Sequence, residues 1–214
     1  MIEGVAFASG GLPVTLADVY RSGPGRSNHI VVLAEASASG FERITPSLSR
    51  QIVDVAFDAG GPAPQGRLLV ARKELERLGE DAEGWMLVAT WSYSRPGTVM
   101  LAGIGRARAW LLDGDTVSAT VEAHAPPFAA PGLSPFLSTH GLNATFNGMS
   151  SGLGHYARTS RIVFASSTVA RVPEPELLAL ARTGAPQAAA DAMLAAAVRL
   201  TPDRWAVAAV FDPL

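Results

Sequence analysis

The chain has 214 residues, 48% of them hydrophobic and 17% charged, which supports one sizeable core and argues against disorder. A net charge of -2 without a basic run excludes the clustered cations that nucleic acid selects, and the lack of cysteine excludes disulfides, thiolate catalysis and Cys-ligated zinc. Met1-Ile2-Glu3-Gly4 carries an acid where a signal peptide is basic, and runs such as Ala206 to Phe211 fall far short of the roughly 20 residues of a membrane span, so a cytoplasmic protein with no membrane contact is expected.

In chain order, Gly4 to Phe7 reads as an edge strand, with Gly10-Gly11 and Arg21 to Gly25 as turns or loops. His29 to Ala34 is a continuous apolar run with β-branched content and reads as a buried strand. A small-residue loop, Ser37 to Gly40, leads to a helix with Thr45 at its N-cap and Pro46 at its first position. Leu48, Ile52, Val55, Ala56 and Ala59 recur at helical spacing until Gly60-Gly61 stops the run. A second helix runs from Gln65 to Leu78, with Leu68, Leu69, Arg72, Leu75 and Leu78 along one side and Gly79 as its C-cap.

The period then changes. Trp85 to Ser94, Thr98 to Ile104, Ala107 to Leu112 and Thr116 to Glu122 read as strands, with Pro96-Gly97 and Asp113-Gly114 at the turns. From Ala125 to Tyr156 periodicity is lost, and a long irregular segment is expected. Arg161 to Ala165 is a strand, helices run from Pro173 to Ala181 and from Pro186 to Arg199, and Trp205 to Phe211 is the last strand. Strand pair, helix pair, meander, strand, helix pair, strand is the order of an α+β protein. It fits a single domain over residues 1–214, a four-layer α-β-β-α sandwich of two antiparallel sheets flanked by helix pairs. Trp85, Trp91, Trp110 and Trp205 all fall on these strands and are expected to anchor the core.

Gly105-Arg106-Ala107-Arg108-Ala109-Trp110-Leu111-Leu112 lies at the start of a hairpin, Val31-Val32-Leu33-Ala34-Glu35-Ala36 ends a strand before a Ser/Gly loop, Ile162 to Thr168 leaves another strand, and Asp203-Arg204 precedes the last. In this order they resemble the Gly-Asp-Ser-Arg, Val-Val-Ala-Asp-Gly, Leu-Leu-Ser-Asp-Gly and Asp-Asn elements of the type 2C metal-dependent serine/threonine phosphatases, over about Ile30 to Phe211. The resemblance implies the layered sandwich and a site that once held two Mg²⁺ or Mn²⁺ ions with a bridging water as nucleophile. Position by position, Glu35 keeps an acid at the first ligand site and Asp203 at the last. Ser167 stands for an aspartate, Ala36 for a glycine and Arg106 for an aspartate, and Arg26-Ser27-Asn28 is all that remains of an early Arg-x-x-Asn-Glu-Asp element. A unit charge about 4 Å from another is worth about 4 kcal/mol at an effective dielectric near 20, so exchanging a carboxylate for a guanidinium removes several kcal/mol of cation affinity.

The resemblance thus implies a catalytically degenerate, pseudophosphatase-like protein without a cofactor, which binds a partner protein or phospho-ligand and acts in signalling. Glu35 is expected to pair with Arg106 or Arg204 in place of metal, and Arg106, Arg108 and Arg204 are the candidate phosphate or ion-pair residues. The alternative is a divergent Mg/Mn-dependent phosphoprotein phosphatase that keeps Glu35 and Asp203 as metal ligands and recruits Asp18, Asp54 or Asp58. A further alternative is a Ser/Thr-nucleophile hydrolase around Ser150 or Ser151 with His140 or His155, though no Gly-x-Ser-x-Gly elbow supports it. The remaining histidines, His29 and His124, are scattered and suggest no metal cluster.

Overall fold

The computed structural model describes residues 1–26, 28–37, 44–61, 63–78, 83–92, 97–104, 107–122, 149–155, 157 and 159–213. The elements are β1 (Ile2–Ala8), α1 (Leu16–Val19), β2 (Tyr20–Pro24), β3 (Asn28–Ser37), α2 (Pro46–Asp58), α3 (Pro64–Leu78), β4 (Glu83–Ser92), β5 (Thr98–Ile104) and β6 (Arg108–Asp113). They continue with β7 (Thr116–Glu122), β8 (Met149–His155), β9 (Ser160–Ala165), α4 (Glu174–Ala181), α5 (Pro186–Leu200) and β10 (Ala206–Asp212). One sheet has the order β1-β10-β9-β6-β7 and the other β2-β3-β4-β5-β8, with every neighbouring pair antiparallel.

Strand alternation sorts the apolar residues into three layers of core. Val31 and Leu33 of β3, Ala109 and Leu111 of β6, and Val207, Ala209 and Phe211 of β10 point between the sheets. The residues between them point outward. Trp110, Leu112, Ala206, Ala208 and Val210 meet α4 and α5, whereas Ile30, Val32, Ala34 and Ala36 meet α2 and α3. Both faces of the central strands are therefore dry, which is why they read as unbroken apolar runs. The expected α-β-β-α sandwich is the observed one, and all four tryptophans are buried. Among the described residues no helix is long and apolar enough to cross a membrane.

Three segments depart from the sequence reading. β2 takes in most of Arg21 to Gly25, expected as a turn or loop, and pairs with β3 from Tyr20↔Leu33 to Pro24↔His29. It bonds on one side only, so a terminal proline costs no ladder bond. Before it lies the short α1, where Thr15 N–H and Oγ1 both donate to Asp18 Oδ2 at 2.8 and 2.7 Å, a capping box in one turn. Met149–His155 falls inside the stretch expected to be irregular, yet it pairs residue for residue with β5. Its Ser and Gly content hides a strand that only a distant partner reveals. Residues 125–148 of that stretch, and the Gly79 cap, lie outside the described residues.

Helix ends are secured differently from the expected caps. Thr45 makes no side-chain capping bond, although Pro46 does open α2. At the other end Arg67 of α3 reaches back and donates Nη1 to the carbonyls of Ala56 and Phe57 at 2.9 and 2.6 Å, and Nη2 to Gly61 at 2.9 Å. A guanidinium only 4% exposed thus satisfies the last carbonyls of α2 and ties the helix pair together. We expect Arg67→Met to strand these acceptors and cost about 2–3 kcal/mol, read as a lower urea midpoint with an unchanged slope.

His29 is buried and stacked on Trp91 with ring centroids 4.5 Å apart. Its Nε2 has no partner among the described residues. Burial lowers its pKa, the Glu3 carboxylate pulls it back up, and the amino terminus pushes it slightly further down. The folded state thus resists a proton that the unfolded chain accepts near pH 6.5. Stability is complete above that pH and falls as pH drops from it toward the lowered folded value. Urea unfolding at pH 7.5 and 5.5 should show the loss, and His29→Gln should remove this part of the slope.

Candidate functional site

Strand register determines which chain ends meet. In the first sheet Arg108, Ala165, Ala208 and Ala6 lie side by side. The exit of β9 and the entries to β6 and β10 are therefore at one end. In the second sheet Ala34, Met86, Ile104 and Met149 share a level, with Glu35 and Trp85 one step beyond. The short passage from Ile104 to Ala107 joins the two sheets at that same end. Glu35, Ser167, Asp203 and Arg204 are thus gathered at one rim of the sandwich.

Glu35 continues the inward row of Val31 and Leu33 and sits opposite Trp85. The Trp85 indole Nε1 donates to Glu35 Oε2 at 2.6 Å, and the Trp85 ring stacks on Trp205 at 5.6 Å with the planes 12° apart. Trp205 directly follows Asp203-Arg204, so the stack fastens the Glu35 strand to the turn before β10. Gly10 supports that turn from below. At φ +60 a Cβ there would lie 2.4 Å from the Arg204 carbonyl carbon, so only glycine lets the two loops touch.

The third strand end is built around Ser166. Its buried Oγ accepts from the Val207 and Val169 N–H groups at 3.1 and 3.4 Å, while its own N–H donates to the Val207 carbonyl at 3.0 Å. Ser166 locks β9 to β10, and the half-buried Ser167 follows at the mouth. Sequence reasoning missed Ser166 and the Trp85–Trp205 stack as parts of this rim. The Trp85 signal was in the sequence: a tryptophan one residue past a glycine at the start of a strand that meanders next to Glu35.

The arginines divide. Arg108 lies on the outer face with Trp110 and Leu112, and its Nη1 is 3.1 Å from Glu174 Oε2 in the first turn of α4. That face is opposite the one carrying Glu35, so Arg108 holds α4 to the sheet. Arg106 lies outside the described residues. Arg204 is exposed, and among the described residues neither it nor Asp203 forms an ion pair. Glu35 Oε2 accepts from the Trp85 indole, and Arg106, the other cation expected to pair with Glu35, lies outside the described residues.

The reserve acids are engaged elsewhere. Asp18 caps α1, and Asp54 and Asp58 bracket the Arg21 guanidinium at 2.8 and 3.2 Å, with Arg21 stacked 4.0 Å over Phe57. Ser150 and Ser151 belong to β8, opposite Gly103 and Ala102, a strand rather than a nucleophile elbow. His155 is exposed on β8, and His124 and His140 lie outside the described residues. Among the described residues no three His, Asp or Glu side chains converge on a point. Among the described residues this rim holds two carboxylates, Glu35 and Asp203, and the first accepts a hydrogen bond from the Trp85 indole.

The contribution of the Trp85–Glu35 bond can be measured directly. We expect Trp85→Phe and Glu35→Gln each to lower stability by about 1–2 kcal/mol, and the double variant to lose less than the sum. A double-mutant cycle by urea unfolding measures the coupling.

No family model matches the chain, and no curated protein matches it. Solved structures do. A bacterial serine phosphatase variant is 11% identical with a TM-score of 0.71, covering 98% of this chain and 97% of that one. PppA, a key regulatory component of the T6SS in Pseudomonas aeruginosa, is 13% identical with a TM-score of 0.63 over 98% and 97%. The catalytic domain of the serine/threonine phosphatase PstP, in complex with two manganese ions, is 12% identical with a TM-score of 0.62 over 97% and 96%. At such identities the likeness carries architecture and not activity, and what it establishes is that this chain has the fold of the type 2C serine/threonine phosphatases.

Proposed function

We propose that the chain is a catalytically degenerate form of this scaffold, a cytoplasmic module that binds and regulates a partner protein or phosphorylated ligand without a cofactor. The observation that carries the reading is the Trp85 indole bonded to Glu35 Oε2. A carboxylate that keeps a site folded by accepting a neutral N–H has a partner that no cation needs to supply. Ser167 in place of an aspartate and the exposed Asp203, which forms no ion pair among the described residues, support the same reading. Arg204, exposed beside them, is the described cation at this rim that a phosphate could reach, and its fork geometry suits one.

Calorimetry of metal-stripped protein with Mn²⁺, paired with thermal melts and an artificial phosphoester, tests the proposal. No heat, no shift in melting temperature at millimolar ion and no turnover are expected. Two ions bound at micromolar affinity with Mn²⁺-dependent hydrolysis would replace it with an active phosphatase. Restoring acids with Ser167→Asp and Arg106→Asp together should create Mn²⁺ binding and raise the melting temperature in its presence.

A further inference from the structure

The end of the sandwich opposite the rim holds a polar cluster between the sheets. Glu3 of β1 belongs to one sheet, and Tyr20 and Ser22 of β2 belong to the other. Tyr20 OH donates to Glu3 Oε1 at 2.7 Å. Ser22 Oγ donates to the same carboxylate, 2.8 Å from Oε1 and 3.0 Å from Oε2. One carboxylate thus bridges the edge strands of two different sheets. Among the described residues the longer Ser22 contact is all that Oε2 accepts.

His29 stands beside this bridge. Pro24 pairs with His29 and Ser22 with Val31, while Tyr20, Val31 and Leu33 belong to the core between the sheets. Alternation therefore turns Ser22 and His29 to the same inner face, where they are diagonal neighbours. His29 is 6% exposed and stacked on Trp91, and its Nε2 has no partner among the described residues. A proton makes both ring nitrogens donors and leaves that buried atom in need of an acceptor. Burial opposes the proton, the Glu3 carboxylate is close enough to favour it, and the amino terminus disfavours it.

The other charged groups at this end are engaged or turned away. Asp113 continues the inward row of Ala109 and Leu111, but β9 and β10 separate it from β1, and its Oδ1 accepts from Thr159 and Ser160. Arg21 and Asp212 face outward, paired with Asp54 and Asp58 and with Arg161. His155 lies opposite Thr98 on the outer face of its sheet, and Arg26 is exposed between β2 and β3. From β4 and β5 the inner face presents Trp91 and Val99, neither of which titrates.

We propose that Glu3 and His29 form a proton-operated clasp between the sheets, in which a proton on His29 moves Glu3 Oε2 from the Ser22 hydroxyl to the imidazolium. Tyr20 stays on Oε1 as the pivot. With His29 neutral, Glu3 ties β1 to β2 through both hydroxyls. With His29 charged, it ties β1 to β3 as well and Ser22 is released. The exchange needs a side-chain rotation and no strand movement, because Glu3 is exposed and His29 is one diagonal step from Ser22.

Proton NMR of the imidazole signals on the full chain reads the titration, with His29→Gln assigning its signal among the four histidines. The midpoint should lie below the ordinary value of 6.5, and Trp91 emission should fall over the same range as the cation forms against the indole. Glu3→Gln removes the acceptor and should lower the midpoint by about half a unit or more. Ser22→Ala removes the donor that competes for Oε2 and should raise it by about a few tenths of a unit. Both substitutions fall on exposed or half-buried side chains. A carboxylate that stayed on Ser22 and acted as a fixed charge would give the lowering without the rise, and that result would overturn the proposal. A midpoint indifferent to Glu3→Gln would overturn it too.

Discussion

The central strands of both sheets have to bury two faces at once, and the close approach of the helices depends on how that is done. From Ala206 to Phe211 the residues of β10 are all buried, with Val207, Ala209 and Phe211 facing the other sheet and Ala206, Ala208 and Val210 facing α5. The helix answers with Ala189, Ala190, Ala196 and Ala197. Small residues on both surfaces bring the helix backbone down onto the sheet. At Gly4 of β1 the approach is closest, since a Cβ there would lie 2.2 Å from the Gln187 nitrogen. The alanine richness of α5 thus has a packing role.

That packing fixes the strand ends, and the strand ends form the rim. Ser166 stitches β9 to β10, the Trp85–Trp205 stack stitches β4 to the turn before β10, and Glu35 is bonded into the stack. A half-buried carboxylate needs compensation wherever it sits, from a cation, a guanidinium or a neutral donor. Here an indole N–H is one of the donors. The bond is worth about 1.5–3 kcal/mol as a hydrogen bond to a charged group, and an incoming cation would have to share or displace it.

The layered architecture was legible in the sequence because periodicity and residue order both reported it. Continuous apolar runs at Ile30 to Ala34 and Trp205 to Phe211 marked strands buried on two faces, and Pro46, Pro173 and Pro186 marked helix starts. The rim was half legible. Glu35, Ser167 and Asp203 were named from order along the chain, and register brings them to one end. Their partners were not found, because a side chain's neighbour across a sheet depends on pairing that no local pattern encodes. Arg108 shows the reason most clearly. Its position two residues before Trp110 places it on the helix-facing side, and which side faces the rim was settled only by where α4 and α5 pack.

The strands that the sequence hid, β2 and β8, are the two edges of one sheet. An edge strand completes its hydrogen bonds on one side and packs less of its surface, so its composition is free to hold Gly23 and Pro24, or Ser150, Ser151 and Gly152. The edges that stayed legible, β1 and β7, keep alternating inward residues, Val5 and Phe7 or Ala119 and Val121, in the core between the sheets. The freedom that blurs an edge in the sequence also lets charge, proline or a covering amide be placed there, as Arg21 and Pro24 are on β2 and the Gln187 amide is at Val5 of β1.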